Sequence, residues 1–110
     1  MNTIEWKDFE KVDIRVGTII HANFFEKAKK PAIQLKIDFG ELGIKKSSAQ
    51  ITKRYQPETL IGKQVIAVIN FPPKQIANFM SECLVLGVVN DDDVILLQPT
   101  HPVQNGWKIG

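Results

Sequence analysis

Apolar and polar residues alternate most strictly between residues 32 and 39. The apolar positions are Ile33, Leu35, Ile37 and Phe39. A period of two is typical of a β-strand with one face in the core and the other in water. The pattern therefore predicts a strand over residues 32–39, followed by a turn at Gly40.

The run from residue 13 to residue 24 also alternates, and it predicts a long first strand. One face carries Ile14, Val16, Thr18 and Ile20. Gly17 lies in the middle of the run, where glycine is costly unless the strand bends or bulges. Small barrels use such bends to turn a corner. We therefore expect a bent first strand.

Shorter signals divide the rest of the chain. Residues 41–50 predict a third strand, and apolar runs at 65–69 and 84–89 predict two more. Residues 90–93 predict a hairpin turn that leads into a strand at 94–97. Helical turns are expected over 4–12, capped by Thr3, and around 52–55, ended by Pro57. Residues 74–82 are expected to form a loop.

Several short strands, one small connecting helix and a bent first strand indicate an all-β fold. We predict a five-stranded OB-fold barrel with a short connecting helix, formed by residues 1–110 as a single domain. Large apolar side chains lie in the N- and C-terminal extensions, where we expect them to be used in dimerisation. These residues are Trp6, Phe9, Trp107 and Ile109.

Composition argues against several functional classes. Cys83 is the one cysteine, which excludes an internal disulfide and a cysteine-rich zinc cage. His21 and His101 are too few for a metal site, and no glycine-rich phosphate loop is present. We therefore expect no enzyme activity, no cofactor and no metal. Cys83 remains open as a nucleophile, against the alternative of a buried inert thiol.

The chain shows no targeting or membrane signal. Its first residues lack the basic-then-apolar layout of a signal peptide. Its longest apolar runs fall short of the roughly 20 residues that span a bilayer. We therefore expect a soluble cytoplasmic protein without membrane insertion. Its net charge of +2 does not by itself indicate a nucleic-acid partner.

Two groups of residues suggest binding rather than catalysis. An apolar group in the connection after residue 69 suits adaptable recognition of polypeptides: Phe71, Ile76, Phe79 and Met80. The alternative is that Phe79 and Met80 plug one end of the barrel. A cationic group near the second and third strands would attract acidic groups or phosphates: Lys36, Lys45, Lys46, Lys53 and Arg54. The alternative for each cation is a solvated barrel face.

Several segments together resemble the tRNA-binding-domain family of OB-folds. The matching segments are 13–17 (DIRVG), 35–40 (LKIDFG) and 55–63 (YQPETLIGK), together with Asn70 and Ser81. The resemblance implies an OB-fold that binds tRNA, with Asn70 and Ser81 among the polar contacts. Where relatives carry Ser-x-Gly-Met, this chain has Ser81-Glu82-Cys83-Leu84, which weakens the case for tRNA.

Further segments resemble a group of small bacterial chaperones within this family that are linked to protein export. These segments are 43–55, 70–73 (NFPP) and 102–106. The resemblance implies a homodimer that binds unfolded or precursor polypeptides and contacts the export motor protein. A non-enzymatic chaperone is therefore the first hypothesis. A structure-specific tRNA-binding dimer is the second.

Overall fold

The computed structural model describes all 110 residues, and β-strands dominate it. The strands are β1 (Ile14–Phe24), β2 (Ile33–Asp38), β3 (Ile44–Ala49), β4 (Gln64–Val68), β5 (Lys74–Ile76), β6 (Phe79–Ser81), β7 (Leu84–Val85), β8 (Gly87–Asn90) and β9 (Asp93–Leu96). The helices are α1 (Trp6–Glu10), α2 (Pro57–Leu60) and a 3-10 turn, Gly40–Leu42. No helix is long and apolar enough to cross a lipid bilayer.

Five strands form one antiparallel sheet in the order β3-β2-β1-β4-β7. The sheet curls into a nearly closed barrel, because β3 at one end packs against β7 at the other. The prediction of an all-β OB-fold is confirmed. Two separate hairpins, β5-β6 and β8-β9, extend from this barrel.

The barrel core is built mainly from the strand whose alternation was strictest. The four apolar side chains of residues 33–39 are all buried, and residues of β1 and β4 pack on them. Strand β2 can fill the core in this way because its period of two turns every apolar residue inward. The predicted strand and the turn after it are confirmed.

The expected bend in β1 is present, three residues after Gly17. The pairing of β1 with β2 shifts register between Ile19 and His21. Gly17 and Ile19 lie on the core side, where the ring of Phe39 packs directly over Gly17. The glycine is thus required by the close approach of this ring, and the bulge after Ile19 supplies the bend.

The cap of the first helical turn differs from the sequence-based prediction, and a helix that was not predicted follows the second turn. Helix α1 is capped at Glu5, whose N–H donates to the carboxylate of Asp8 at 2.9 Å, so the expected Thr3 cap is wrong. The expected helical turn around 52–55 is present, with Tyr55 N–H donating to Ile51 O at 3.1 Å, and a separate helix, α2, begins at Pro57. Proline suits the first helical position because no intrahelical bond needs its N–H there. Buried Pro57 and Leu60 fix this helix to the barrel.

The connection after β4 is more ordered than expected. Residues 74–82 contain the hairpin β5-β6, whose tight turn includes Ala77 at φ 52°. The predicted strand 84–89 divides into β7 and β8, which belong to different sheets. The predicted turn at 90–93 is confirmed, because Asn90 pairs with Asp93 and Asp91 adopts φ 54°.

The C-terminal segment lies beside the first half of β1. Val16 N–H donates to Trp107 O at 3.0 Å, and Ile109 N–H donates to Ile14 O at 2.9 Å. A turn at 105–106 precedes this pairing, with Gly106 at φ 93°. The C-terminal segment therefore continues the barrel wall with backbone hydrogen bonds.

Candidate functional site

The four apolar residues predicted to bind polypeptides divide between the surface and a small second core. Phe79 is only 9% exposed and packs on Phe25, with 5.4 Å between the ring centroids. Ile76 is half-buried against the same cluster. Phe71 and Met80 are exposed. The burial of Phe79 favours the alternative in which this ring closes one end of the barrel, because pairing of Ile76 with Phe79 at the hairpin end turns both side chains inward.

Phe71 lines a pocket of about 410 Å³ at the mouth of the β5-β6 hairpin. Leu84, 48% exposed, also lines this apolar pocket. The remaining lining residues are Pro72, Lys74, Ser81, Glu82 and Cys83. Lys74 forms no ion pair within the chain. The pocket thus combines apolar walls with one unpaired cation. This combination is suited to binding an apolar side chain carried on a polar polypeptide backbone.

Glu82 joins this pocket to β3 and closes the barrel seam. Its N–H donates to Lys46 O at 2.7 Å, and its Oε1 accepts from Lys46 N–H at 2.9 Å. Ser47 Oγ, which is buried, donates to Cys83 O at 2.8 Å. Side chains therefore supply part of the hydrogen bonding that a neighbouring strand normally provides.

Replacing Glu82 by alanine should destabilise the protein by about 1–2 kcal/mol, because it leaves the Lys46 N–H without its acceptor. Glu82→Gln keeps an oxygen in the same place and should cost far less. Urea unfolding of the two variants measures the difference. Equal loss in both would show that charge, and not the seam hydrogen bond, is what Glu82 contributes.

Cys83 is a buried free cysteine, which agrees with the alternative of a buried inert thiol. Its Sγ lies 3.7 Å from Lys46 O, and burial raises the pKa of the thiol to about 11. A thiol with this pKa carries almost no thiolate at neutral pH, and the thiolate is the nucleophilic form. These properties argue against the nucleophile hypothesis.

The cations of the strand region do not form one surface. Lys36 and Lys46 are cross-strand partners on the outer face, and Lys46 Nζ lies 5.2 Å from the ring centroid of Phe79. Lys45 pairs with buried Ile37 and therefore belongs to the other face. Adjacent residues of a strand point to opposite sides, which separates this lysine pair.

Lys53 and Arg54 are already paired with the β8-β9 turn. Lys53 Nζ lies 3.2 Å from Asp92 Oδ1. Arg54 Nε and Nη2 donate to the two carboxylate oxygens of Asp93 at 2.6 and 2.9 Å. Hydrogen bonding to this guanidinium lowers the pKa of the Asp93 carboxyl. The five predicted cations therefore divide into an outer pair, Lys36 and Lys46, one lysine on the other face, Lys45, and two cations that are paired with aspartates.

Asn70 and Ser81 use their polar groups inside the chain. Asn70 Nδ2 donates to Lys11 O at 2.7 Å, and its Oδ1 accepts from Asp13 N–H at 2.9 Å. Ser81 Oγ accepts from Ser48 N–H at 3.2 Å. Asn70 thereby ties the end of β4 to the segment before β1. The RNA contacts expected of these two side chains stay a prediction. RNA would have to compete with these hydrogen bonds for the same polar atoms.

The terminal apolar residues remain accessible on the outside of the barrel. The rings of Trp6 and Phe9 pack against each other in a tilted arrangement, with 5.3 Å between their centroids, and Trp6 is exposed. Trp107 is also exposed, whereas Ile109 is partly covered. Their predicted use in a dimer interface stays a prediction.

Sequence reasoning assigned no binding role to five residues that line the pocket: Pro72, Lys74, Glu82, Cys83 and Leu84. Leu84 begins an apolar run, which predicts burial, but its position at the barrel seam leaves its side chain half-exposed. Lys74 follows two prolines and gave only a loop signal. The position of Glu82 depends on β3, which lies more than thirty residues earlier in the chain.

Comparison with known proteins establishes the family. A family model described as "Putative tRNA binding domain" matches residues 14–108. The chain belongs to this tRNA-binding-domain family. This agrees with the resemblance indicated by the segments at 13–17, 35–40 and 55–63.

Curated relatives within the family include methionine–tRNA ligases. The ligase of Helicobacter pylori strain J99 is 38% identical over 100 residues, which covers 91% of this chain and 15% of the ligase. The ligase of Methanococcoides burtonii is 39% identical over 107 residues, covering 96% of this chain and 16% of the ligase. The chain thus spans only a small part of each ligase.

Solved structures that match nearly the whole chain include CsaA chaperones. CsaA from Bacillus anthracis is 57% identical with a TM-score of 0.95, and the match covers 99% of this chain and all of that one. CsaA from Picrophilus torridus is 54% identical with a TM-score of 0.92, covering 98% and 100%. The resemblance to small chaperones that the sequence indicated is confirmed.

Proposed function

We propose that this protein is a non-enzymatic molecular chaperone that binds unfolded or precursor polypeptides. The supporting observation is the pocket between Phe71 and Leu84, whose exposed apolar walls lie beside the unpaired cation of Lys74. A similarity of 57% identity over the whole of a CsaA chaperone supports the same function. Apolar side chains of an unfolded polypeptide gain by leaving water in such a pocket.

The proposal extends to the setting in which the chaperone acts. Residues 1–110 form one tRNA-binding-type domain that works in the cytoplasm as a homodimer, with Trp6, Phe9, Trp107 and Ile109 at the interface. Its clients are polypeptides destined for export, and it contacts the export motor protein. Two identical pockets on a dimer would raise the avidity for a long unfolded chain.

Replacing Phe71 by alanine should weaken client binding about tenfold, because an exposed aromatic wall of the pocket is lost. Folding stability should change by no more than about 0.5 kcal/mol, since the side chain is exposed. Fluorescence anisotropy with a labelled, reduced and alkylated polypeptide measures the affinity.

Phe24→Ala is the matched control for this experiment. Phe24 is 56% exposed and Phe71 is 53% exposed, yet only Phe71 lines the pocket. We expect Phe24→Ala to bind the polypeptide as the wild-type protein does. Equal loss in both variants, or no loss in either, would contradict the assignment of the pocket.

A structure-specific tRNA-binding dimer is the second candidate, and family membership favours it. The cross-strand pair of Lys36 and Lys46 provides adjacent cations on the outer face. Binding through phosphates would weaken steeply as salt rises, whereas binding through an apolar pocket would not. Titration with tRNA and with the unfolded polypeptide, each at low and high salt, separates the two candidates. Lys36→Ala should weaken the binding of tRNA and leave the binding of the unfolded polypeptide unchanged.

A further inference from the structure

A groove without any carboxylate in its lining lies between the start of β4 and the segment that follows β9. Its polar half is a cavity of about 290 Å³ whose lining includes Lys63, Gln98, Thr100 and His101. None of the residues that line this half is acidic. Lys63 forms no ion pair within the chain. The charge of Lys63 is therefore unopposed in the groove, and electrostatics favour an anionic occupant.

Hydrogen-bond donors without a partner are concentrated in the same lining. The side chains of Gln98, Thr100 and His101 make no hydrogen bond within the chain. The backbone N–H groups of these three residues make none either. Together with the ammonium of Lys63, these donors outnumber the two oxygens of a carboxylate. A phosphate group, with three strong acceptor oxygens, makes better use of them.

The wall that carries these donors is held in place. Pro99 and Pro102 restrict the backbone on either side of residues 100–101. Gln64 Nε2 donates to Val103 O at 2.7 Å, and Val103 N–H donates to Gln64 Oε1 at 3.0 Å. The segment is thereby fixed to β4. A ligand that binds here loses little free energy in ordering the wall.

The groove continues into a smaller apolar half of about 180 Å³. Lys63, Gln64 and Gln98 line both halves, and the other walls of the apolar half are Tyr55, Val65, Ile95 and Leu96. Lys63 Nζ lies 5.9 Å from the centroid of the Tyr55 ring, and Tyr55 Oη accepts a hydrogen bond from Leu96 N–H at 3.0 Å. The cation therefore lies beside an aromatic wall whose position is fixed. A ligand that fills both halves joins an anionic group to an apolar one.

We propose that this groove binds a nucleoside monophosphate. The phosphate lies against Lys63 and Thr100, and the base lies in the apolar half beside Tyr55. The aromatic wall suits a flat base, and the free amide of Gln98 can pair with the edge of the base. A free nucleotide and the terminal nucleotide of an RNA share this chemistry. The groove has no lining residue in common with the Phe71 pocket, so this site is separate from the proposed polypeptide site.

The test is a titration of the full-length ¹⁵N-labelled protein with AMP, followed by NMR at the amides of Thr100 and His101. Lys63→Met removes the ammonium but keeps an apolar stem, and we expect it to raise the Kd for AMP about tenfold. Thr100→Val removes the hydroxyl and should raise the Kd about threefold. Both side chains are exposed, so folding should be unaffected.

Lys27→Ala is the matched control for the loss of charge. Lys27 is exposed, forms no ion pair and lines neither half of the groove. We expect this variant to bind AMP as the wild-type protein does. An equal loss in Lys27→Ala and Lys63→Met would reduce the effect to net charge and overturn the site. Unchanged affinity in both Lys63→Met and Thr100→Val would also overturn it.

Fragments of the ligand test the two halves separately. Adenosine lacks the phosphate and ribose 5-phosphate lacks the base, and we expect each to bind at least about tenfold more weakly than AMP. Inorganic phosphate that binds as tightly as AMP would overturn the role of the apolar half. Displacement of AMP by a lower concentration of N-acetylleucine would assign the groove to an apolar carboxylate and overturn the proposal.

Two further comparisons identify the source of the nucleotide and separate this proposal from the chaperone function. Binding of a short RNA that requires its 5′-phosphate and Lys63 would identify a terminal nucleotide, whereas binding of AMP alone would identify a free one. Phe71→Ala should bind AMP normally and the unfolded polypeptide weakly. Lys63→Met should show the opposite pattern. Loss of AMP binding in Phe71→Ala would contradict a separate site.

Discussion

Replacing Gly17 by valine is expected to destabilise the protein by about 3 kcal/mol, because the barrel has no room for a side chain there. A Cβ atom at this position would lie 2.6 Å from Ile37 Cγ2 and 2.7 Å from Phe39 Cε1. Both neighbours are fully buried, and close-packed interiors cannot move aside without cost. The midpoint of urea unfolding measures the loss.

Asn23→Val is the control, since it places the same β-branched residue at an exposed position of β1. We expect it to be close to neutral. Gly17→Ala should also destabilise the protein. Replacing the ring of Phe39 by the smaller side chain of leucine in the Gly17→Ala variant should recover part of that loss of stability, because residues 17 and 39 are in contact. A Gly17→Val protein as stable as the wild type would show that Phe39 does not pack over β1.

Replacing Phe79 by alanine should also cost about 3 kcal/mol, and the loss should appear in folding rather than in recognition. The ring packs on Phe25 and lies under Lys46 Nζ, so its removal leaves a cavity in the small second core. Thermal unfolding followed by circular dichroism measures the stability.

Phe25→Ala should reproduce the effect of Phe79→Ala, because the two rings share one cluster. Met80→Ala, next to Phe79 but exposed, should leave stability nearly unchanged. Strong loss of client affinity in a Phe79→Ala protein of normal stability would contradict the buried role and restore Phe79 to the binding surface.

Local patterns were sufficient to predict the barrel. The alternation in residues 32–39 predicts a half-buried strand, and Gly17 predicts a first strand that bends, although the structure places the bulge three residues after the glycine. The start of α2 was less accessible, because Pro57 can end one helix or begin the next. Burial of Pro57 and Leu60 against the barrel favours a helix that begins at Pro57.

The site could be predicted only in part, because partners distant in the chain decide it. Phe71 and Phe79 have similar local surroundings, yet only Phe79 meets a partner ring, that of Phe25. Arg54 would be free to bind a ligand but for Asp93, which lies 39 residues further on. Spacing along the sequence does not reveal such pairs, and they separate the binding surface from the core.

The backbone bonds between residues 14–16 and the C-terminal segment also bear on how the molecule is made. Arg15 Nη1 donates to Gly106 O at 3.1 Å across 91 positions of sequence. Since translation adds only about 5–20 residues per second, the wall beside β1 stays open for seconds after β1 has emerged. In the nascent chain, therefore, β1 has no hydrogen-bonding partner on that side during synthesis, and folding of the barrel finishes only after residue 109 has left the ribosome.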